Sequence, residues 1–198
     1  LILYSAGYGP KPEKIERIAP GMGVRFSDGS QPLTSARASL AMLGERLGLG
    51  RRAQAHLGQF DEFMASMKAR FAPWHGQPLL MMSLMDARHA LIIGKNSLFQ
   101  QVMDELGLEN AWQGEVNFWG SAVVGLERLA AVKTAQVVCF SHGDDALMRQ
   151  IAAMPLWQAM PFVREDRFTR VQSVWFYGAT LSAMHFCRVL DGALGARP

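Results

Sequence analysis

Rings of tryptophan, tyrosine and phenylalanine gather in three stretches that carry no helical apolar rhythm. NAWQGEVNFWG covers residues 110–120, VWFYG covers 174–178, and LYSAGYG sets Tyr4 and Tyr8 near the start of the chain. Three of the five tryptophans, Trp112, Trp119 and Trp175, fall in these stretches beside Phe176 and Tyr177, and glycines flank them. Large faces next to pliable backbone suit the floor of a cleft that grips a bulky ligand. A ring that loses ~100 Å² of apolar surface to a ligand contributes about 2.5 kcal/mol gross. Four such rings, with the hydroxyls of Tyr8 and Tyr177 to orient the ligand, support a micromolar or tighter complex. Any one tryptophan is as readily a plug at the end of a core, but the three clusters together favour a binding surface.

Bond-breaking chemistry has fewer candidates. There is no GxSxG elbow. Gly94-Lys95-Asn96-Ser97 lacks the preceding glycine of a phosphate loop, and SAGYGP follows its two glycines with a proline, so neither is a nucleotide motif. The five histidines, His56, His75, His89, His142 and His185, are dispersed and form no HExxH. Ser141, His142, Asp144 and Asp145 lie close in sequence and are the best acid–base or metal cluster, yet a polar loop that opens a helix explains them more simply. Cys139 and Cys187 belong to no CxxC spacing and sit in apolar runs, so buried thiols are expected. No protein-held metal and no resident cofactor are expected. The net charge of +3 is scattered, with no basic run, which argues against nucleic acid as a partner. No apolar run approaches the ~20 residues of a spanning helix.

The elements that must position the rings follow from local pattern. Residues 1–4 read as a buried strand, a helix starts at Pro12 with Glu13 at its positive end, and residues 24–26 read as a second strand. The opening strand carries the expectation that sequence precedes Leu1. Apolar residues then recur at helical spacing from Leu33 to Phe71, interrupted by Gly48-Leu49-Gly50, so two helices or one bent helix are predicted. Strands follow over 79–84, 90–93, 136–140 and 168–171, and helices over 97–106, 125–132, 144–154 and 180–194, with 155–162 irregular. This is an α/β chain with a mixed, mostly parallel sheet.

Over essentially all 198 residues, YSAGYGP, KPEKIERIAPG, NSLFQQVMDELG, NAWQGEVNFWG, PLWQAMPFVR and VWFYGATLSAMHF resemble the bacterial periplasmic binding proteins for ferric hydroxamate siderophores of the ferrichrome type. The resemblance implies a bilobal fold, two α/β lobes joined by a long helix, with a shallow groove between them. Residues 1–32 would then be a remnant of the N-terminal lobe, 33–72 the helical region with the connecting helix, and 73–198 the C-terminal lobe. It implies a periplasmic monomer that hands an iron(III)-hydroxamate complex to an inner-membrane ABC permease with its ATPase, and no catalysis. Tyr8 matches the family tyrosine that hydrogen-bonds hydroxamate oxygens. Trp112, Trp119, Trp175, Phe176 and Tyr177 match groove-lining rings, and Tyr4 stands where relatives carry tryptophan. Glu13 and Glu127 match acidic residues, one per lobe, that dock onto permease arginines. The family's hydroxamate-binding arginine lies upstream of that tyrosine, where this chain has no residue, so weak ligand binding is expected of the chain alone. Two alternatives remain open: a siderophore-processing esterase or ferric reductase using Ser141, His142 and Asp144, and a binding protein of the same fold for cobalamin or haem.

Overall fold

The structure, a computed structural model, describes residues 1–6, 9–25, 29–143 and 145–195. β1 (Ile2–Ser5) pairs in parallel with β2 (Gly21–Val24), and α1 (Pro12–Glu16) makes the crossover that parallel neighbours require. β2 starts earlier than the apolar rhythm of 24–26 predicts. Its glycines are the reason: a Cβ on Gly21 or on Gly23 would stand 3.1 Å from the ring of Tyr4. Glycine is a weak strand former, and it is used here because backbone must pass close beneath that ring.

α2 (Pro32–Arg46) and α3 (Gly50–Phe71) are two helices, and they lie side by side. Arg37 of α2 pairs with Asp61 of α3, and its guanidinium sits 4.9 Å from the centroid of the Phe60 ring. The turn between them holds Gly48 at a φ of 68°. One face of α3, carrying Phe60, Met64, Met67 and Phe71, enters the main core.

After a 3-10 turn (Ala72–Trp74) the chain builds a five-stranded sheet from β3 (Leu79–Leu84), β4 (His89–Ile93), β5 (Ser121–Gly125), β6 (Gln136–Ser141) and β7 (Phe168–Gln172). The helices α4 (Leu98–Leu106), α5 (Asp145–Ala152), α6 (Pro155–Gln158), α7 (Pro161–Arg164) and α8 (Thr180–Leu194) are interleaved. Strand order is β5-β4-β3-β6-β7. The β3–β6 and β6–β7 pairings are parallel, while β3–β4 and β4–β5 are antiparallel, so the sheet is evenly mixed rather than mostly parallel. The cause is a tight turn. Asp86 Oδ1 accepts from the amides of Arg88 at 2.6 Å and His89 at 2.8 Å, which folds β4 back along β3. Those bonds and the His89 imidazole, the largest influence, hold the Asp86 carboxyl below its usual range.

Three further departures are local. The segment from Ser121 to Gly125 is an edge strand where no strand is predicted. The turns after it, Leu126–Ala131, are 3-10 rather than α-helical. The stretch 155–162, expected to be irregular, holds two one-turn helices that each start at a proline.

Buried residues form one cluster on each face of the large sheet. Leu79 and Met81 point into the cluster with α3, α4 and α8, and Leu80 and Met82 into the cluster with α6 and α7. Coverage on both faces explains why β3 is a continuous apolar run instead of an alternating one. Cys139 and Cys187 are free and buried, and burial pushes their thiols up to about 11 and about 12. Among the described residues, no helix is long and apolar enough to cross a membrane.

Candidate ligand-binding site

The 110–120 segment is fixed at both ends by asparagines. Asn110 is buried. Its side-chain amide donates to the Ile93 carbonyl at 3.0 Å and to Gln100 at 2.7 Å, and its Oδ1 accepts from the Trp112 amide at 2.9 Å. At the far end, Asn117 Oδ1 accepts from the amides of Trp119 at 2.9 Å and Ser121 at 3.2 Å, and the Gly120 amide returns to the Asn117 carbonyl. Gly120, at a φ of 74°, seats this turn on α4: a Cβ there would stand 2.3 Å from the Ser97 nitrogen. Ser97 caps α4, its hydroxyl accepting from the Gln100 amide at 3.0 Å, so Trp119 is referred to the start of a rigid helix.

The 174–178 segment follows β7, turns at Phe176 and Tyr177, and alternates in exposure. Val174 is buried, and Phe176 packs between Phe99 and Phe140 at centroid distances of 5.2 and 5.6 Å. The intervening side chains turn outward, with Trp175 69% and Tyr177 40% exposed. The segment thus uses two residues as anchors and presents the other two. Tyr177 meets Trp119 at 5.5 Å and Trp175 at 6.0 Å, both edge to face.

These rings share one hollow of about 780 Å³ with Tyr4. Leu3 and Ser5 of β1, Val24 of β2 and Leu43 of α2 complete its described lining. None of these residues carries a formal charge. The hollow therefore offers ring faces, aliphatic groups and hydroxyls, and among its described residues no cation or carboxylate.

Two of the expected groove rings fall elsewhere. Trp112 does not line the hollow. It packs on the cluster beneath the opposite face of the sheet from Phe176, its Nε1 donating to the Glu115 carbonyl at 3.4 Å and the Arg128 guanidinium 5.9 Å from its ring. The cause is upstream: the Ala111 amide donates to the Leu79 carbonyl, which ties the segment to β3 just before Trp112. Phe176 anchors the rim from within the core and does not line the hollow. Tyr8 lies outside the described residues. Glu13, in the first turn of α1, and Glu127, in the 3-10 stretch after β5, are both exposed.

The hydrolytic candidates are not assembled as a nucleophile and its base. Ser141 Oγ accepts from Arg170 at 2.6 Å and from the Gly143 amide at 3.3 Å, while His142 Nδ1 faces Ser173 Oγ at 3.2 Å. Asp144 lies outside the described residues. Among the described residues, no group of three histidine, cysteine or carboxylate side chains could hold a metal ion.

Sequence reasoning missed Leu3, Ser5, Val24 and Leu43 as lining and Asn117 as the support of Trp119. Asn117 alone had a legible signal, an asparagine three residues ahead of a glycine, the mark of an Asx turn. The aliphatic residues are indistinguishable by type from core.

Comparison with known proteins places these features in context. A family profile described as "Periplasmic binding protein" matches residues 1–174. The iron(3+)-hydroxamate-binding protein FhuD of Escherichia coli (strain K12) is 56% identical over 196 residues, which are 99% of this chain and 66% of that protein. The chain thus spans about two thirds of that relative's length. Among solved structures, FhuD from Vibrio cholerae with bound Fe3+–Desferal superposes with a TM-score of 0.84 at 24% identity, over 98% of this chain and 73% of that one. FhuD2 from Staphylococcus aureus with ferrioxamine B gives 0.68 at 16% identity, over 98% of this chain and 75% of that one. At those identities the two superpositions speak to the fold.

Proposed function

This chain belongs to the periplasmic binding protein family, and from that premise we propose that it captures ferric hydroxamate siderophores and presents them to an inner-membrane ABC permease with its ATPase. The observation that carries the reading is the convergence of Tyr4, Trp119, Trp175 and Tyr177 on one hollow whose described lining is uncharged. Hydroxamate groups lose one proton each on binding iron, so a tris-hydroxamate core balances iron(III) and is neutral. A tris-catecholate core is a trianion, and desolvating it against rings without a facing cation is costly. The described part of the wall thus suits the neutral hydroxamate class.

In this reading Trp119, Trp175 and Tyr177 hold the ligand from one side and Tyr4 from the other, and Tyr8 hydrogen-bonds hydroxamate oxygens. Phe176 acts as the anchor of the ring pair. Trp112 supports the fold of its loop, outside the hollow. Glu13 and Glu127 dock on the permease, and both stand exposed at the first turn of a helix, where a carboxylate is favoured by the backbone dipoles. Residues 1–32 belong to the N-terminal lobe, 33–72 to the linking helices and 73–198 to the C-terminal lobe. The protein works as a periplasmic monomer and transforms nothing. The occupation of the Ser141 hydroxyl by Arg170 and Gly143, and the name of the E. coli relative as a binding protein, support that last point.

Titration of the full-length protein with ferrichrome, followed by tryptophan fluorescence, tests the proposal. Saturable quenching in the micromolar range is expected, with a ferric tris-catecholate giving none. Absence of a saturable change with ferrichrome, or equal response to both complexes, overturns it.

A further inference from the structure

One wall of the hollow comes from none of the aromatic stretches. α2 is fastened near its start and at its middle to different parts of the molecule. Near its start, the Leu33 amide donates to Gln101 Oε1 of α4 at 2.6 Å, and Arg37 reaches both Asp61 of α3 and Glu105 of α4. Further along, Ser39 Oγ donates to the carbonyl of Arg25, just past β2, at 3.0 Å. Leu43 follows Ser39 by four residues, on the same face of the helix, and it lines the hollow beside Leu3, Val24 and the rings. A helix tied to both the small sheet and the large body holds that side chain at a fixed depth.

We infer that Leu43 sets the size of the hollow and thereby which ferric hydroxamates fit it. The inference rests on the reading of the hollow as a hydroxamate site. The rings grip the iron complex by faces every such ligand offers, so they discriminate little among them. An aliphatic stop acts on bulk alone, and in an apolar pocket one methylene changes selectivity by ~10-fold. A larger residue at position 43 excludes the broad, cyclic framework of ferrichrome before it excludes the open chain of ferrioxamine B. A smaller one shifts preference the other way.

The test compares the full-length parent protein, Leu43→Phe and Leu43→Ala, each titrated with ferrichrome and with ferrioxamine B, with thermal midpoints recorded. The ratio of the two dissociation constants is expected to move by about tenfold against ferrichrome in Leu43→Phe and in the opposite direction in Leu43→Ala. Leu43→Val, a milder truncation, supplies a ratio shifted in the same direction as Leu43→Ala if neither of the others folds. A ratio unchanged within about twofold in every folded variant, whatever happens to the separate affinities, overturns the inference. A parent protein that binds neither ligand overturns the reading of the hollow itself, and is recognised because no ratio can then be formed.

Discussion

Trp112 and Trp119 share one short segment of the chain, an asparagine two residues before each and the same expectation, yet they end on different sides of the architecture. Trp119 is set by the Asn117 turn and the seat of Gly120 on α4, and it meets Tyr177 edge to face on one wall of the hollow. Trp112 is set by the backbone tie of Ala111 to β3 and packs toward the cluster under the other face of the sheet. The lesson is that a ring's role is decided by the backbone hydrogen bonds immediately before it, not by the company it keeps in sequence.

The contrast between structural and presented rings can be broken by substitution. The largest effect belongs to a ring with no presented side at all. Phe186 is fully buried and stacked on Phe99 at 4.1 Å, so Phe186→Ala is expected to cost 3–5 kcal/mol in denaturant unfolding, roughly the range for buried phenylalanine. Trp175→Ala comes next. It should lower ferrichrome affinity by about 30-fold, roughly 2 kcal/mol, and leave the thermal midpoint nearly unmoved because the ring is exposed. Trp112→Ala should do the reverse, with affinity within about twofold of the parent and stability lowered by about 1 kcal/mol. If the two tryptophan variants lose affinity equally, the separation of roles is wrong. Asn117→Ala sharpens the same point more gently, removing the acceptor for the Trp119 and Ser121 amides. A loss of about 1 kcal/mol in stability with a parallel weakening of ligand quenching is expected.

A further contrast, read through pH, concerns the thiols. Folded Cys139 and Cys187 titrate near 11 and 12 instead of their ordinary 9.0, because burial disfavours the thiolate. The sign is fixed by which state binds the proton longer. Below pH 9 both states are protonated and stability is unaffected. As pH rises from there through the folded values, the unfolded chain loses its thiol protons first and stability falls. Stability curves across pH 8 to 11 check this, as does alkylation, which should be slow in the folded protein and fast after unfolding. Rapid alkylation of both thiols in the folded state would contradict their burial.

Much of the fold was legible because periodicity reports burial directly. β3, β6 and α4 follow from apolar runs with clear caps, and Gly107 ends α4 in the left-handed conformation expected of a helix-terminating glycine. β5 was not legible. As an edge strand it pairs on one side only, exposes Val123 at 56%, and so shows neither a continuous apolar run nor firm alternation. β2 was displaced because two glycines carry no hydropathy signal, their role being to make room for Tyr4. At the site, aromatic type led to Trp119, Trp175, Tyr177 and Tyr4. It could not find Leu43, whose part depends on where α2 is fastened, a contact between residues far apart in the chain.

The inward hold on Val174 and Phe176 has a consequence for how a guest is met. With both alternate positions locked, Trp175 and Tyr177 stand 6.0 Å apart as a grating of set pitch, in place before any ligand arrives. Little ordering entropy remains to be lost on capture, so each contact made counts almost in full toward residence time.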